Sequence, residues 1–119
     1  MISVLVLVTP LSANAATLPI DGNYGTELGC RIAKTGEYIE SNDTQLLTPD
    51  SVGTSVTLCS FDSIEPTTDG GHKVDMTCSS EGEGPEGDIK EKAEISGDPK
   101  AGYTIRFADG TSWGPLKKC

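Results

Sequence analysis

Residues 59–78 read CSFDSIEPTTDGGHKVDMTC, which is the pattern of a β-hairpin. The turn signal is Asp69-Gly70-Gly71, because glycine tolerates the positive φ values that tight turns require. If Cys59 lies opposite Cys78, Phe61 faces Met76 and Ser63 faces Val74. Side chains alternate between the two faces of a strand, so this register separates an apolar face from a polar face. The apolar face takes Cys59, Phe61, Val74, Met76 and Cys78. The polar face takes Ser60, Asp62, Lys73, Asp75 and Thr77, with Leu58 as its apolar exception.

Similar turn signals recur along the whole chain, at Asp21-Gly22, Gly97-Asp98-Pro99 and Asp109-Gly110. Short runs rich in β-branched or aromatic residues lie between them. We predict strands near residues 44–48, 54–61, 72–79, 88–96, 102–108 and 111–116, with a further strand over Asn23–Arg31. We predict loops at residues 33–43, 62–72 and 80–88.

One segment, Asp88–Ile95, also fits a helix because it is rich in Glu and Lys. Its apolar residues fit a solvated edge strand almost as well. The other segments show no long apolar repeat with a period of 3.6 residues. The sequence therefore predicts an all-β fold, a small antiparallel barrel or sandwich with about 6–8 short strands.

The aromatic residues are best explained by core packing. Tyr103, Ile105 and Phe107 alternate with polar residues and give one strand an apolar face. We expect Trp113 to close the core near the end of the barrel. For Tyr24 the pattern does not decide between core and surface.

The first residues resemble an export signal. An uncharged apolar run is followed by Ala13-Asn14-Ala15, with small residues where a signal peptidase cleaves. We predict a signal peptide at residues 1–15 and a single domain at residues 16–119. The alternative is a buried N-terminal strand. No segment is long and apolar enough to predict a membrane span.

The four cysteines predict two structural disulfides in an exported chain. Their spacing contains no C-x-x-C motif of the kind found in zinc ribbons or thioredoxins. The hairpin register favours the pairs Cys59–Cys78 and Cys30–Cys119. Two other connectivities remain open.

The net charge of −9, with 18 acidic and 9 basic residues, argues against nucleic acid and anionic membranes as partners. A basic protein is the partner that this charge favours. The alternative is that acidity only keeps a small exported protein dissolved. The most acidic segment is residues 80–88. It carries Glu81, Glu83, Glu86 and Asp88 and is our candidate partner-binding loop.

Catalysis has little support in the sequence. His72 is the only histidine and follows two glycines in a turn, so we expect a solvated loop residue. No G-x-S-x-G elbow surrounds a serine, and disulfides would leave no free thiol. The acidic segment lacks the residue order of a calcium loop, although its carboxylates could hold Ca²⁺. We expect no enzyme activity, no metal and no cofactor.

Several short motifs resemble a group of small four-cysteine exported proteins of Gram-negative bacteria, mostly of unassigned function. The motifs cover nearly all of residues 16–119 and are Gly22-Asn23-Tyr24-Gly25, Cys30, Val56–Phe61, Val74–Cys78, Glu81-Gly82-Glu83-Gly84, Asp109–Trp113 and Lys118-Cys119. The resemblance implies a periplasmic β domain with two disulfides, and it supplies no catalytic residues.

A looser resemblance is to bacterial periplasmic inhibitors of animal-type lysozyme, which are small disulfide-bearing β-barrels with a Ser-Gly-x-x-Tyr loop. Here Ser96-Gly97 is followed by Tyr103, five residues on rather than two. We therefore expect a non-enzymatic periplasmic or secreted protein that binds an unknown ligand or associates with the envelope. The alternative is an acidic inhibitor of a basic enzyme such as animal-type lysozyme.

Overall fold

A computed structural model describes residues 16–37 and 41–119. The predicted signal peptide at residues 1–15, and residues 38–40 within one predicted loop, lie outside the described residues. The described chain forms eight antiparallel strands, one α-helix and one 3-10 turn. Each strand pairs with the next, and the last pairs with the first, so the sheet is a closed barrel. The prediction of an all-β fold is confirmed, in its barrel form.

The element bounds show how much longer the strands of the second half are. The short elements are β1 (Tyr24–Gly25), α1 (Glu27–Thr35), β2 (Leu46–Leu47), β3 (Ser51–Gly53) and the 3-10 turn (Pro85–Gly87). The long ones are β4 (Thr57–Pro66), β5 (His72–Ser80), β6 (Ile89–Asp98), β7 (Gly102–Phe107) and β8 (Ser112–Lys118). The strand predicted over 54–61 begins three residues later, as β4 at Thr57. The Thr54 hydroxyl accepts hydrogen bonds from the backbone N–H of Val56 and Thr57 and so holds residues 54–56 in a turn after β3.

The hairpin β4–β5 has the predicted register at its disulfide end. Cys59 lies opposite Cys78 and Phe61 opposite Met76. The prediction that Ser63 faces Val74 is wrong, because a β-bulge at Asp62 shifts the register by one residue. Ile64 therefore faces Val74. The predicted loop over 62–72 is too long, since β4 continues to Pro66 and β5 begins at His72, which leaves a turn at residues 67–71.

His72 is accordingly not a loop residue. It is the first residue of β5, opposite Pro66 and Ile95, and its side chain is partly buried.

The barrel interior is filled by the apolar face that the hairpin register selects. The buried core residues are Leu18, Tyr24, Leu47, Val52, Cys59, Phe61, Val74, Met76, Cys78, Ala93, Ile95, Ile105 and Leu116. Leu58 remains on the outer face, as predicted, and is 54% exposed. Tyr24, which the sequence left undecided, is fully buried.

Strand β6 is the segment that also fitted a helix. It lies between β5 and β7, so it is neither a helix nor an edge strand. Its lysines point to the outer face, where Lys92 forms an ion pair with Asp75 at 2.8 Å and Lys90 with Asp62 at 3.4 Å. Because these ion pairs form on the outer face of the barrel, the lysines of β6 do not require an edge position in the sheet.

Helix α1 replaces most of the strand predicted over Asn23–Arg31, which is therefore wrong. Thr26 caps its first turn by accepting a hydrogen bond from the Gly29 N–H. Gly36 ends it in the left-handed conformation with a φ of 75°. Glu27 and Lys34 lie in the first and last turns, where their charges complement the helix dipole.

Both predicted disulfides are present. Cys59–Cys78 links β4 to β5, and Cys30–Cys119 ties α1 to the end of the chain. The Cys119 N–H donates to the Asn23 carbonyl at 2.9 Å, next to the point where β1 closes the barrel against β8.

Removing the long-range disulfide is expected to weaken the fold substantially. The Cys30–Cys119 bond spans 89 residues, and loss of such a constraint on the unfolded chain costs about 4–5 kcal/mol. We expect the double variant Cys30→Ser/Cys119→Ser to lose that much free energy of unfolding in a urea titration. A loss below about 1 kcal/mol would show that this bond does not hold the barrel closed.

Gly29 gives a second stability prediction. Alanine is normally the better helix former, but a Cβ at Gly29 would lie 2.0 Å from the Gln45 carbonyl oxygen. We expect Gly29→Ala to lose about 1–3 kcal/mol of unfolding free energy by overpacking. The control Ala33→Gly, at an exposed helix position, should lose only about 0.5–1 kcal/mol. Stabilisation by Gly29→Ala would contradict the close packing of α1 on Gln45.

Candidate functional site

One end of the barrel contains an open cavity of about 320 Å³. We call this end the mouth. Strands β3, β5 and β7 end there, and β4, β6 and β8 begin there. The cavity is lined by Gly53, Thr54, Thr57, Cys59, Cys78, Ser80, Ile89, Glu91, Phe107, Asp109, Thr111 and Trp113. Barrel mouths are common positions for ligand sites, because the strands there turn outward and the interior is accessible.

The apolar part of the cavity wall is formed by two aromatic rings, the disulfide and Ile89. Phe107 and Trp113 pack edge to face with ring centroids 5.0 Å apart. Trp113 lies at the barrel end, as predicted, and is only partly buried. The Cys59–Cys78 disulfide lies on the inner face and also lines the cavity.

Glu91 is the acidic group of the inner face. It lies opposite Met76 in the β5–β6 pairing, so its side chain shares the face of the core residues. The side chain is partly buried, and its carboxylate accepts no hydrogen bond from another described residue. The neighbouring lysines of β6 point to the opposite face. Among the described residues that line the cavity, none carries a positive charge.

Asp109 adds a second carboxylate at the rim. It accepts hydrogen bonds from the Thr111 hydroxyl at 2.6 Å and from the Thr111 N–H at 2.8 Å. These bonds, the hydroxyl first, lower the pKa of Asp109, because they stabilise its charged form. The rim therefore stays negatively charged below the ordinary pKa of an aspartate.

The candidate partner-binding loop borders the same mouth. Residues 81–88 connect β5 to β6, and the Glu81 N–H donates to the Val56 carbonyl across the rim at 2.8 Å. Glu81, Glu83 and Glu86 are exposed, and within the described chain their carboxylates form no ion pair or hydrogen bond. Asp88 accepts a hydrogen bond from Ser79 at 2.8 Å. Sequence analysis did not associate this loop with a cavity.

The mouth also carries exposed apolar side chains. Val56 is 40% exposed, and Leu58 and Ile89 are each 54% exposed. Among the described residues, these are the large apolar side chains with the greatest exposure, and all three lie at this end. Apolar side chains surrounded by charged groups are typical of protein-binding surfaces.

The other predicted contact residues lie at the opposite end of the barrel. Ser96 and Gly97 are in β6, and Tyr103 is in β7 opposite Gly97. Tyr103 packs edge to face on Tyr24, with ring centroids 4.7 Å apart. At about 3.3 Å per residue, Ser96 is about 25 Å along the strand from Asp88. The structure therefore does not bring the two predicted groups together, and Ser96-Gly97 is not a projecting loop.

A hydrogen-bonded cluster stabilises that opposite end. The Tyr24 hydroxyl donates to the Asp21 carboxylate, which also accepts a hydrogen bond from Lys118 at 2.9 Å. The bond to Asp21, followed by burial, raises the pKa of Tyr24 to about 12. The bond from Lys118, followed by that from Tyr24, lowers the pKa of Asp21.

The raised pKa gives a test at high pH. Protonated Tyr24 should stabilise the fold fully below pH 10, and this contribution should be lost as the pH rises toward 12. We expect the difference in absorbance at 295 nm between wild type and Tyr24→Phe to show a midpoint near pH 12. A midpoint near the ordinary value of about 10 would contradict the hydrogen bond to Asp21.

A larger depression, of about 600 Å³, lies on the outer face of β4–β7. Its charged residues are of both signs, and one ion pair forms among them, between Lys92 and Asp75. Asp75 accepts hydrogen bonds from Lys92 at 2.8 Å and from Ser63 at 3.0 Å, and these lower its pKa. The bond to Asp75 in turn raises the pKa of Lys92. Glu65, Lys73, Glu94 and Arg106 also line the depression, at positions opposite one another on neighbouring strands. Its three acidic and three basic residues therefore give this surface no net charge.

Over residues 16–37 and 41–119, no group of three or more His, Cys, Asp or Glu residues is placed to hold a metal ion. The described helices include none that is long and apolar enough to cross a membrane.

No protein-family model matches the chain, and no curated protein or solved structure matches it. The geometry of the mouth is therefore the basis for assigning a function.

Sequence analysis did not single out Glu91 as a cavity residue. The sequence did contain the evidence. Glu91, Ala93 and Ile95 are alternate residues of β6, so their side chains lie on the same face of the strand. A carboxylate on the inner face of a strand indicates either that a second polar group pairs with it or that it lies at the open end of the barrel.

Proposed function

We propose that the protein is an exported, non-catalytic binding protein that uses the mouth to bind a basic protein. The observation that carries this proposal is the combination of carboxylates without partners and exposed apolar side chains at one end of the barrel. A bound basic partner would neutralise the carboxylates and bury the exposed apolar side chains.

The proposed location is the periplasm or the extracellular space. Two disulfides indicate a protein that folds outside the reducing cytoplasm. The finer assignment depends on the predicted signal peptide at residues 1–15 and on the resemblance to periplasmic four-cysteine proteins.

The charge distribution supports a basic partner. Six acidic residues surround the mouth: Glu81, Glu83, Glu86, Asp88, Glu91 and Asp109. The nearest lysine, Lys90, points to the outer face and pairs with Asp62. A field of one sign at one end of a molecule increases the association rate of an oppositely charged partner, most strongly at low salt.

Inhibition of a basic enzyme is the second candidate function. It is favoured by the acidic loop, which projects from the barrel beside the cavity and is exposed at Glu81, Glu83 and Glu86. An animal-type lysozyme is the enzyme class that the looser resemblance indicates. Since Tyr103 is packed against Tyr24, contact with the enzyme would be made by the mouth and not by Ser96-Gly97.

The test compares two triple variants with the same change in net charge. Glu81→Gln/Glu83→Gln/Glu86→Gln neutralises the acidic loop, whereas Glu37→Gln/Glu65→Gln/Glu94→Gln neutralises exposed residues away from the mouth. Association with an animal-type lysozyme and with a basic protein of unrelated fold is measured at low and near-physiological salt. We expect the loop variant to associate about tenfold more slowly at low salt. The control should slow association by less than about twofold.

Two results would contradict the proposal. One is absence of saturable binding to either basic protein at both salt concentrations. The other is equal slowing by the two triple variants, which would mean that only total charge matters. Lysozyme activity, recorded in the same titration, separates the two candidates: loss of activity on binding indicates an inhibitor, and unchanged activity indicates binding alone.

A further inference from the structure

We infer that the mouth cavity accepts one arginine or lysine side chain of the basic partner, with its charged group on Glu91 and its aliphatic part against Trp113. This inference rests on the proposed function and specifies how the partner is recognised. The acidic loop would then govern the approach of the partner, and the cavity would hold one of its side chains.

The size of the cavity limits the occupant. At about 320 Å³ it lies at the lower end of the range of small-ligand sites, which is about 300–1,000 Å³. Its floor is closed by the Cys59–Cys78 disulfide and the filled core. A single side chain fits such a depression, whereas a folded segment of a partner does not.

The chemistry of the wall selects an amphipathic cation. Arginine and lysine combine an apolar stem with a charged head, and the cavity combines an aromatic wall with a carboxylate. A cation near the face of a tryptophan gains further electrostatic attraction. An anion would meet Glu91 and Asp109 with no compensating charge. A purely apolar group would leave the partly buried Glu91 carboxylate without a donor.

The charge on Glu91 is available because nothing in the described barrel uses it. Its sequence neighbours Lys90 and Lys92 form ion pairs with Asp62 and Asp75 on the outer face. A guanidinium or ammonium donor would therefore form the first charge-assisted hydrogen bond to this carboxylate. The exposed Ile89 side chain beside it would be covered in the same step.

The chain contains one tryptophan, so its fluorescence reports directly on the cavity. The probes are acetyl-Gly-Arg-Gly-amide and its citrulline counterpart, which has a similar shape and no charge. We expect a saturable change in Trp113 fluorescence on titration with the arginine peptide. The citrulline peptide should bind at least fivefold more weakly. Glu91→Gln should weaken the arginine peptide about tenfold, as expected for loss of one charge-assisted hydrogen bond.

The matched control is Glu94→Gln, which makes the same chemical change on the same strand. Glu94 lies opposite Arg106 on the outer face, so this variant should bind the arginine peptide like wild type. Equal binding of both peptides, or an unchanged affinity in Glu91→Gln, would overturn the inference. Saturable binding of the peptide by Glu91→Gln also shows that this variant is folded.

The experiment separates this inference from the proposed function. If basic proteins bind and the loop variant slows them, but Glu91→Gln changes neither peptide binding nor the dissociation rate, the inference is wrong and the proposed function stands. If the arginine peptide binds the cavity and neither basic protein binds, the proposed function is wrong. If Glu91→Gln increases the dissociation rate of a basic protein about tenfold while Glu94→Gln does not, both are supported.

Discussion

The pairing of Cys59 with Cys78 is the constraint on which the other features of this barrel depend. Because side chains alternate along a strand, one register between two strands assigns an inner and an outer face to both. Pairing then transmits that assignment to β6, where it places Ala93 in the core and Glu91 on the same face nearer the mouth. The disulfide register thus fixes the inner face of the hairpin and, on the next strand along the chain, the position of the Glu91 carboxylate that distinguishes the mouth.

The two ends of the barrel differ in how their polar groups are satisfied. At one end, Tyr24 and Lys118 both donate hydrogen bonds to Asp21, and the aromatic pair of Tyr24 with Tyr103 closes the interior. At the mouth, Glu91 has no partner within the described residues and the aromatic pair leaves a cavity beside it. A closed end with satisfied groups stabilises the fold, whereas an open end with unsatisfied groups is suited to binding.

Much of the barrel could be predicted from sequence because alternation and turn residues are local signals. The disulfide pairing followed from the same alternation. The β-bulge at Asp62 could not be predicted in this way, because one extra residue barely alters the mixture of apolar and polar residues by which a strand is recognised. Helix α1 was missed because its evidence lies in its ends, a capping Thr26 and a terminal Gly36, and not in an apolar repeat. The cavity depends on closure of the sheet by the pairing of β1 with β8, which places residues as far apart in the chain as Gly53 and Trp113 around one opening.

We propose that a basic partner contacts the mouth and leaves the opposite end of the barrel free. Amide hydrogen exchange of the disulfide-bonded protein, with and without a basic protein such as an animal-type lysozyme, tests this directly. We predict slower exchange at residues 53–57, 80–91 and 107–113 on binding, with no change at residues 96–103. Protection confined to residues 96–103 and to β1 would contradict it and assign the partner to the end closed by Tyr24.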